Sequence, residues 1–151
     1  MFEKTMLKQM GLRIQLGYAS GEQCPRPQCA FGDDFVIIDI HGVHSIALDY
    51  CSCECANAKH IQLLRSRLFP ATGIDPKTAC TFRVLGFHHL LHNQTKASGF
   101  EFYTTLSRRS DNMGTEEVKV SHHDYLFVHR AQNFYRRGIR ASCIWCVCGP
   151  T

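Results

Sequence analysis

Three cysteines on alternate positions, Cys51, Cys53 and Cys55, close the segment GVHSIALDYCSCEC, and His44 stands seven residues before the first of them. Thiolates and imidazoles are the usual zinc donors, four of them held tetrahedrally at ~2.0–2.3 Å. Alternate residues of a flat strand point the same way but lie about 6.5–7 Å apart, too far to share one ion. Chelation by Cys51-Ser52-Cys53 therefore requires the chain to bend there. Cys24 and Cys29 come from the Pro-rich stretch ASGEQCPRPQCAFGDD, which could fold over this end. Cys24, His44, Cys51 and Cys53 would form a split site, with one or two ligands from a loop and two from a knuckle. Cys55 would then be spare or face solvent. The same cysteines would serve equally well as small hydrophobes, beside a histidine bonded to main chain. C-x-C spacing does not separate the two readings.

Two other groups invite the same question. His88, His89 and His92 form HHLLH, and imidazoles at i and i+3 or i+4 can share a metal. The glutamate base of a metallopeptidase helix is missing, so core and surface packing accounts for them better. Cys143, Cys146 and Cys148 in CIWCVC include a C-x2-C pair, with His122, His123 and His129 upstream, but no second knuckle follows and the segment reads as a hydrophobic tail. No nucleotide-binding glycine loop, nucleophile elbow or Ser/His/Asp order emerges. Asp33, Asp34, Asp39 and Asp49 suit turns and strand faces.

The elements that must position these residues change character along the chain. Leu12, Ile14 and Leu16 alternate with Arg13 and Gln15, a half-buried strand that Gly17 stops. FVIIDI and VHSIALDYC predict a hairpin around a tight His41-Gly42 turn. So small a β unit needs a staple such as a metal. HIQLLRSRLF then places Ile61, Leu64 and Leu68 at helical spacing and stops at Pro70. Asp75 as N-cap and Pro76 at the first turn predict a helix running to about Asn93, with Ala79, Phe82, Leu85, His89 and Leu90 on one face. Phe100, Tyr103 and Leu106 mark another short helix. Beyond Ser121, Tyr125–Arg137 reads as helix and CIWCVCG as strand. The expected fold class is α+β, a small zinc-stabilised N-terminal β-hairpin unit followed by a helical half.

At 151 residues and 44% hydrophobic, the chain can bury one modest core. Lys/Arg and Asp/Glu balance at seven each over residues 1–70 but stand at ten to six over 71–151, so the net +4 lies in the second half. That excess is compatible with an anionic partner and equally with an ordinary solvated surface. No apolar run of 18 residues and no signal-type segment is visible, which predicts a chain that works inside the cell with reduced thiols. Nine cysteines there point to metal or packing roles rather than disulfides.

Taken in order, GLRIQLG, Cys-Pro-x-Pro, FVIIDIHGVHSIALDYCSC, HIQLLRSRLFPAT, DPKTACTFRVLGFHHLL and KASGFEFYTTLSRRSDN resemble one family. It is the CxC-type cysteine-cluster domain, second class, that accompanies KDZ (Kyakuja-Dileera-Zisupton) transposases of fungal mobile elements. The resemblance covers residues 11–113; residues 114–151 form a divergent or truncated extension. It implies a non-catalytic module holding one structural zinc ion, in the nucleus, where it helps a transposase engage DNA or chromatin. Cys24, His44, Cys51 and Cys53 match the family's loop cysteine, Gly-aliphatic-His histidine and C-x-C pair. Tyr18 departs from the pattern, since members commonly carry histidine there; a donor lost at that place would be made up by Cys29, Cys55 or His60. The transposase catalytic region is absent, so the chain should bind rather than cut, with no small-molecule substrate and no membrane contact. Arg65, Arg67, Arg108, Arg109, Arg136 and Arg137 would contact phosphates without reading bases. The competing reading is a protein–protein interaction module with no nucleic-acid role.

Overall fold

The computed structural model of the chain describes residues 8–18 and 21–110. Its elements are β1 (Arg13–Gln15), β2 (Pro27–Cys29), β3 (Phe35–Asp39), β4 (Gly42–Cys51), α1 (Lys59–Arg65), β5 (Leu68–Pro70), β6 (Thr78–Thr81), α2 (Phe82–Thr95) and α3 (Gly99–Ser110). The fold class is α+β. The strands build a mixed sheet in the order β1-β4-β3-β6-β5, with β2 pairing β4 off that path. The long strand β4 organises it. β1 runs parallel to β4, with Ile14 opposite Leu48, and β2 runs antiparallel, with Pro27 opposite Cys51.

Two compact units result. Described residues up to 37 join 44–79 in the first, and 38–43 join those from 80 onward in the second. The first unit's core gathers Leu16, Phe35, Ile46, Leu48, Tyr50, Leu63 and Leu68 with Ala30 and Ala79. Leu48 and Leu63 are wholly buried, each removing side-chain surface worth about 2 kcal/mol from water. The Phe35 and Tyr50 rings meet edge to face, 6.5 Å between centroids.

The second unit centres on α2 and α3. Thr81 caps α2, its Oγ1 accepting from Val84 N at 3.3 Å while donating to Asp39 Oδ1 at 2.6 Å. Ser98 and Glu101 form a capping box on α3: Ser98 Oγ accepts from Glu101 N, and the Glu101 carboxylate accepts from Ser98 N. Those Ser98 bonds hold the Glu101 carboxyl below its usual range. At the hairpin tip, Ser110 Oγ accepts from Val43 N at 2.7 Å. A Cβ on Gly42 would collide with that hydroxyl, and its φ of +140 is one that side chains rarely adopt.

The structure differs from the sequence reading in four places. β2 lies in what reads as pure turn chemistry. α1 ends at Arg65 and buries Gln62 and Leu63, while Leu68 belongs to a strand. Asp75 caps nothing: its carboxylate pairs with Lys59 Nζ at 2.7 Å, and residues 78–81 extend as β6 before α2 begins at Phe82. Main-chain pairing, with Ala71 N donating to Thr78 O at 2.9 Å, outweighs the local helix signal there. Finally, α2 buries His88 rather than His89, its ring 4.6 Å from that of Phe102, and Phe87, Leu90 and Phe100 are left exposed.

Candidate metal centre

The sheet delivers the first sulfur and a bend delivers the second. Cys51 ends β4, and Ser52 N still donates across to Arg26 O at 3.1 Å. The chain then turns, with Ala56 N donating to Cys53 O at 2.9 Å. The bend at Cys53, just past the strand end, shortens the spacing a flat strand would impose on Cys51 and Cys53. Cys24 arrives from the loop before β2, next to the strand that pairs with Cys51. As a result the sulfurs of Cys24, Cys51 and Cys53 lie within 4.8 Å of one another, with Cys24 and Cys53 at 3.5 Å.

Two residues outside the cluster lock this arrangement. Buried Gln62 on α1 acts as a substitute strand: its Oε1 accepts from Cys51 N at 2.9 Å and its Nε2 donates to Cys51 O at 2.9 Å. A third bond, Nε2 to Asn57 O at 2.7 Å, ties in the following loop. Gly17 passes so close that a Cβ would lie 2.8 Å from Cys51 Cβ, and its φ of +87 is one that side chains rarely adopt. Sequence reasoning missed Gln62, whose only signal is a polar residue inside the apolar run HIQLL.

The donor set suits a thiophilic divalent ion. Tetrahedral zinc with Zn–S bonds of ~2.3 Å spaces its sulfurs by about 3.8 Å, close to what the protein holds. Tyr18 Oη stands 3.3 Å from Cys53 Sγ, at the position where the resemblance expects a histidine. Bonds to Cys53 from Tyr18 first, then from Cys24 and Cys51, hold the Cys53 thiol below its usual range. The same bond raises Tyr18 well above the usual phenol range. For Cys51 a bond from the Cys53 main chain pulls the other way, but burial and its Cys53 and Cys24 neighbours leave the thiol raised. Cys53 is thus the first of the pair to ionise.

The remaining sequence candidates lie elsewhere. His44 is near the start of β4, and seven residues of extended chain put it roughly 23 Å from Cys51. It is not among the grouped donors. The extended strand that makes β4 legible is also what keeps His44 away. Cys55 is exposed and lines a pocket of about 510 Å³ with Tyr18, Cys51, Cys53, Gln62 and Arg65. His60 is half-buried on α1 and is not part of the group. Neither the HHLLH histidines nor any others join a metal-ready group among the described residues. The CIWCVC cysteines lie outside them. Arg65 and Arg67 are exposed at the end of α1 in the first unit. Arg108 and Arg109 are exposed in the last turn of α3 in the second. Arg136 and Arg137 lie outside the described residues.

Cys29 joins a different cluster. Its sulfur lies within 4.8 Å of donor oxygens of Asp33 and Asp49, a grouping the sequence reading did not foresee. Arg13 fills it: Nη1 donates to Asp49 Oδ1 at 2.6 Å and to Cys29 Sγ at 3.6 Å, and Nη2 to Asp33 Oδ2 at 2.8 Å. The guanidinium supplies the cation, so the buried Asp49 needs no metal.

The family model for the CxC2-like cysteine cluster associated with KDZ transposases matches residues 7–114, which contain every cysteine of both clusters. The chain belongs to that family. Neither the curated proteins nor the solved structures yield a match. The CxC2 domain therefore supplies the fold and a three-sulfur cluster able to hold a metal ion. No helix among the described residues is long and apolar enough to cross a membrane.

Proposed function

We propose that this CxC2 domain is a non-catalytic, zinc-stabilised accessory module that contacts DNA or chromatin in the nucleus on behalf of a KDZ-type transposon protein. The observation that carries the metal half is the convergence of Cys24, Cys51 and Cys53 from a loop, a strand end and a turn. Two segments far apart in sequence, the Cys24 loop and the Cys51–Cys53 knuckle, would be tied by one ion, which is how a structural metal adds folding free energy to a small domain. Zinc is the ion best matched to thiolate donors without redox chemistry. The nucleic-acid half is supported by the association with transposases and by exposed Arg65, Arg67, Arg108 and Arg109. These would neutralise phosphates rather than read base edges.

Metal content of the purified protein, measured by native mass spectrometry, tests the first half. One zinc per chain is expected, lost on Cys24→Ser and on Cys51→Ser; a metal-free protein would overturn it. Titration with duplex DNA tests the second half. Neutralising about four phosphates should cost about 100-fold in affinity between 50 and 200 mM salt, whereas a flat response sinks nucleic-acid binding. A protein–protein module is the second reading, favoured by Phe87 and Leu90, which are over half exposed one turn apart on α2. Salt-insensitive capture of transposase proteins would support it.

A further inference from the structure

The three-sulfur cluster leaves one tetrahedral position to be assigned, and Tyr18 Oη now stands beside it, 3.3 Å from Cys53 Sγ. Several nearby groups are disqualified by their placement. His44 is a strand's length away. Cys29 sits opposite Asp49 in the β2–β4 register and takes a bond from Arg13. Asp33 and Asp49 are held by the same guanidinium. The Gln62 side-chain oxygen is committed to Cys51 N. Tyr18 offers a hard phenol oxygen whose hydroxyl is the stronger donor of the Tyr18–Cys53 pair, whereas thiolates are the donors that select zinc.

Cys55 is different. It lines the pocket that Tyr18, Cys51 and Cys53 also line, is exposed, and lies inside the turn closed by Ala56 N and Cys53 O. Its sulfur is not among the three grouped within 4.8 Å and would have to move to join them, but it lies outside every strand. We infer that Cys55 is the fourth zinc donor, reaching the ion through this shared pocket and displacing the Tyr18 hydroxyl. The alternate cysteines Cys51, Cys53 and Cys55 then form one C-x-C-x-C arm of a four-sulfur site, with Cys24 as its only loop ligand. Each thiol gives up its proton to solvent as its sulfur binds, and no oxidant or reductant is involved. Tyr18 becomes a plug for the metal-free state.

This inference rests on the proposed zinc site, and one experiment separates the two. The full chain is loaded with zinc, alkylated with N-ethylmaleimide, and each cysteine's labelling is read by peptide mass spectrometry against an EDTA-treated control. Protection of Cys24, Cys51, Cys53 and Cys55 together is expected. Protection of the first three with Cys55 fully labelled overturns Cys55 as a donor while leaving the zinc site intact. No zinc-dependent protection overturns both. Variants provide a second readout. Because Cys55 is exposed, Cys55→Ser should fold, yet lower zinc affinity by more than the 10–100-fold typical of losing an outer-shell partner. It should also weaken the thiolate-to-metal charge-transfer bands of the Co²⁺-substituted protein. Tyr18→Phe should leave the Co²⁺ bands unchanged, since the hydroxyl is not bound to the metal. The reverse pattern, sensitivity at Tyr18 and indifference at Cys55, makes Tyr18 the ligand and ends the proposal.

Discussion

Two triads of metal-capable side chains sit in the same unit, each with its donor atoms within 4.8 Å. One is Cys24, Cys51 and Cys53; the other is Cys29, Asp33 and Asp49. The strand pair β2–β4 feeds both, since Pro27 faces Cys51 while Cys29 faces Asp49. They differ in where the positive charge comes from. Around Asp49 it is built in, as Arg13 from β1 bonds all three members. Around Cys53 it is not: the sulfurs meet each other, the Tyr18 hydroxyl and main-chain groups of Arg26 and Cys53, none of which carries a charge. Proximity of donors is therefore not enough to nominate a metal site. The deciding question is whether a fixed cation already answers the charge.

The strongest way to break the comparison is to remove a sulfur. Cys51→Ser should abolish stoichiometric zinc and expose the N-terminal amides to hydrogen exchange, while Cys29→Ser keeps zinc bound; native mass spectrometry and exchange read both. Acid should act the same way on the sulfur cluster alone. Zinc competes with protons for thiolates, so affinity measured against a chromophoric chelator should fall as pH drops below the thiol range of about 8.5.

Next in size is Gly17→Ala, which puts a Cβ against Cys51 at a φ of +87. A loss of about 2–3 kcal/mol in urea unfolding is expected, together with weaker zinc binding. Arg13→Ala tests the other cluster by stranding the buried carboxylate of Asp49. Because the Arg13 side chain is 44% exposed, solvent screens the pair and the loss should be smaller than for Gly17→Ala, with zinc stoichiometry unchanged.

The smallest effect belongs to Tyr18→Phe in the metal-free protein. The Tyr18 bond is the main reason the Cys53 thiol sits below its usual range. Removing it should raise that thiol, leave less thiolate at neutral pH and slow alkylation of Cys53. Faster alkylation would mean that Tyr18 shields the sulfur rather than ionises it.

Much of the site was legible in local pattern. VHSIALDYC reads as a hairpin arm and becomes β4, and a flat strand's spacing already demands the bend after Cys51 that the structure contains. Cys24 was legible as a loop cysteine that could join the pair, and Tyr18 stood out by its departure from the family pattern. His44 misled because closeness in sequence was taken for closeness in space, which an extended strand denies. Asp75-Pro76 misled because a good helix cap is worth about 1 kcal/mol, less than the ladder bonds and the Lys59 pair that hold this segment extended.

By itself, then, the sequence determined the class of chemistry, the periodicities of the strands and helices, and the need for a turn between two thiols. These depend on residue type and on contacts a few residues apart. Only the tertiary structure decided which cysteines meet, because Cys24 and Cys53 are joined across 29 positions by a loop and a turn. It alone assigned Cys29 to Arg13, gave Gln62 the Cys51 main chain, and put the Tyr18 hydroxyl beside Cys53. Those choices are set by sheet register and close packing, which no local pattern encodes.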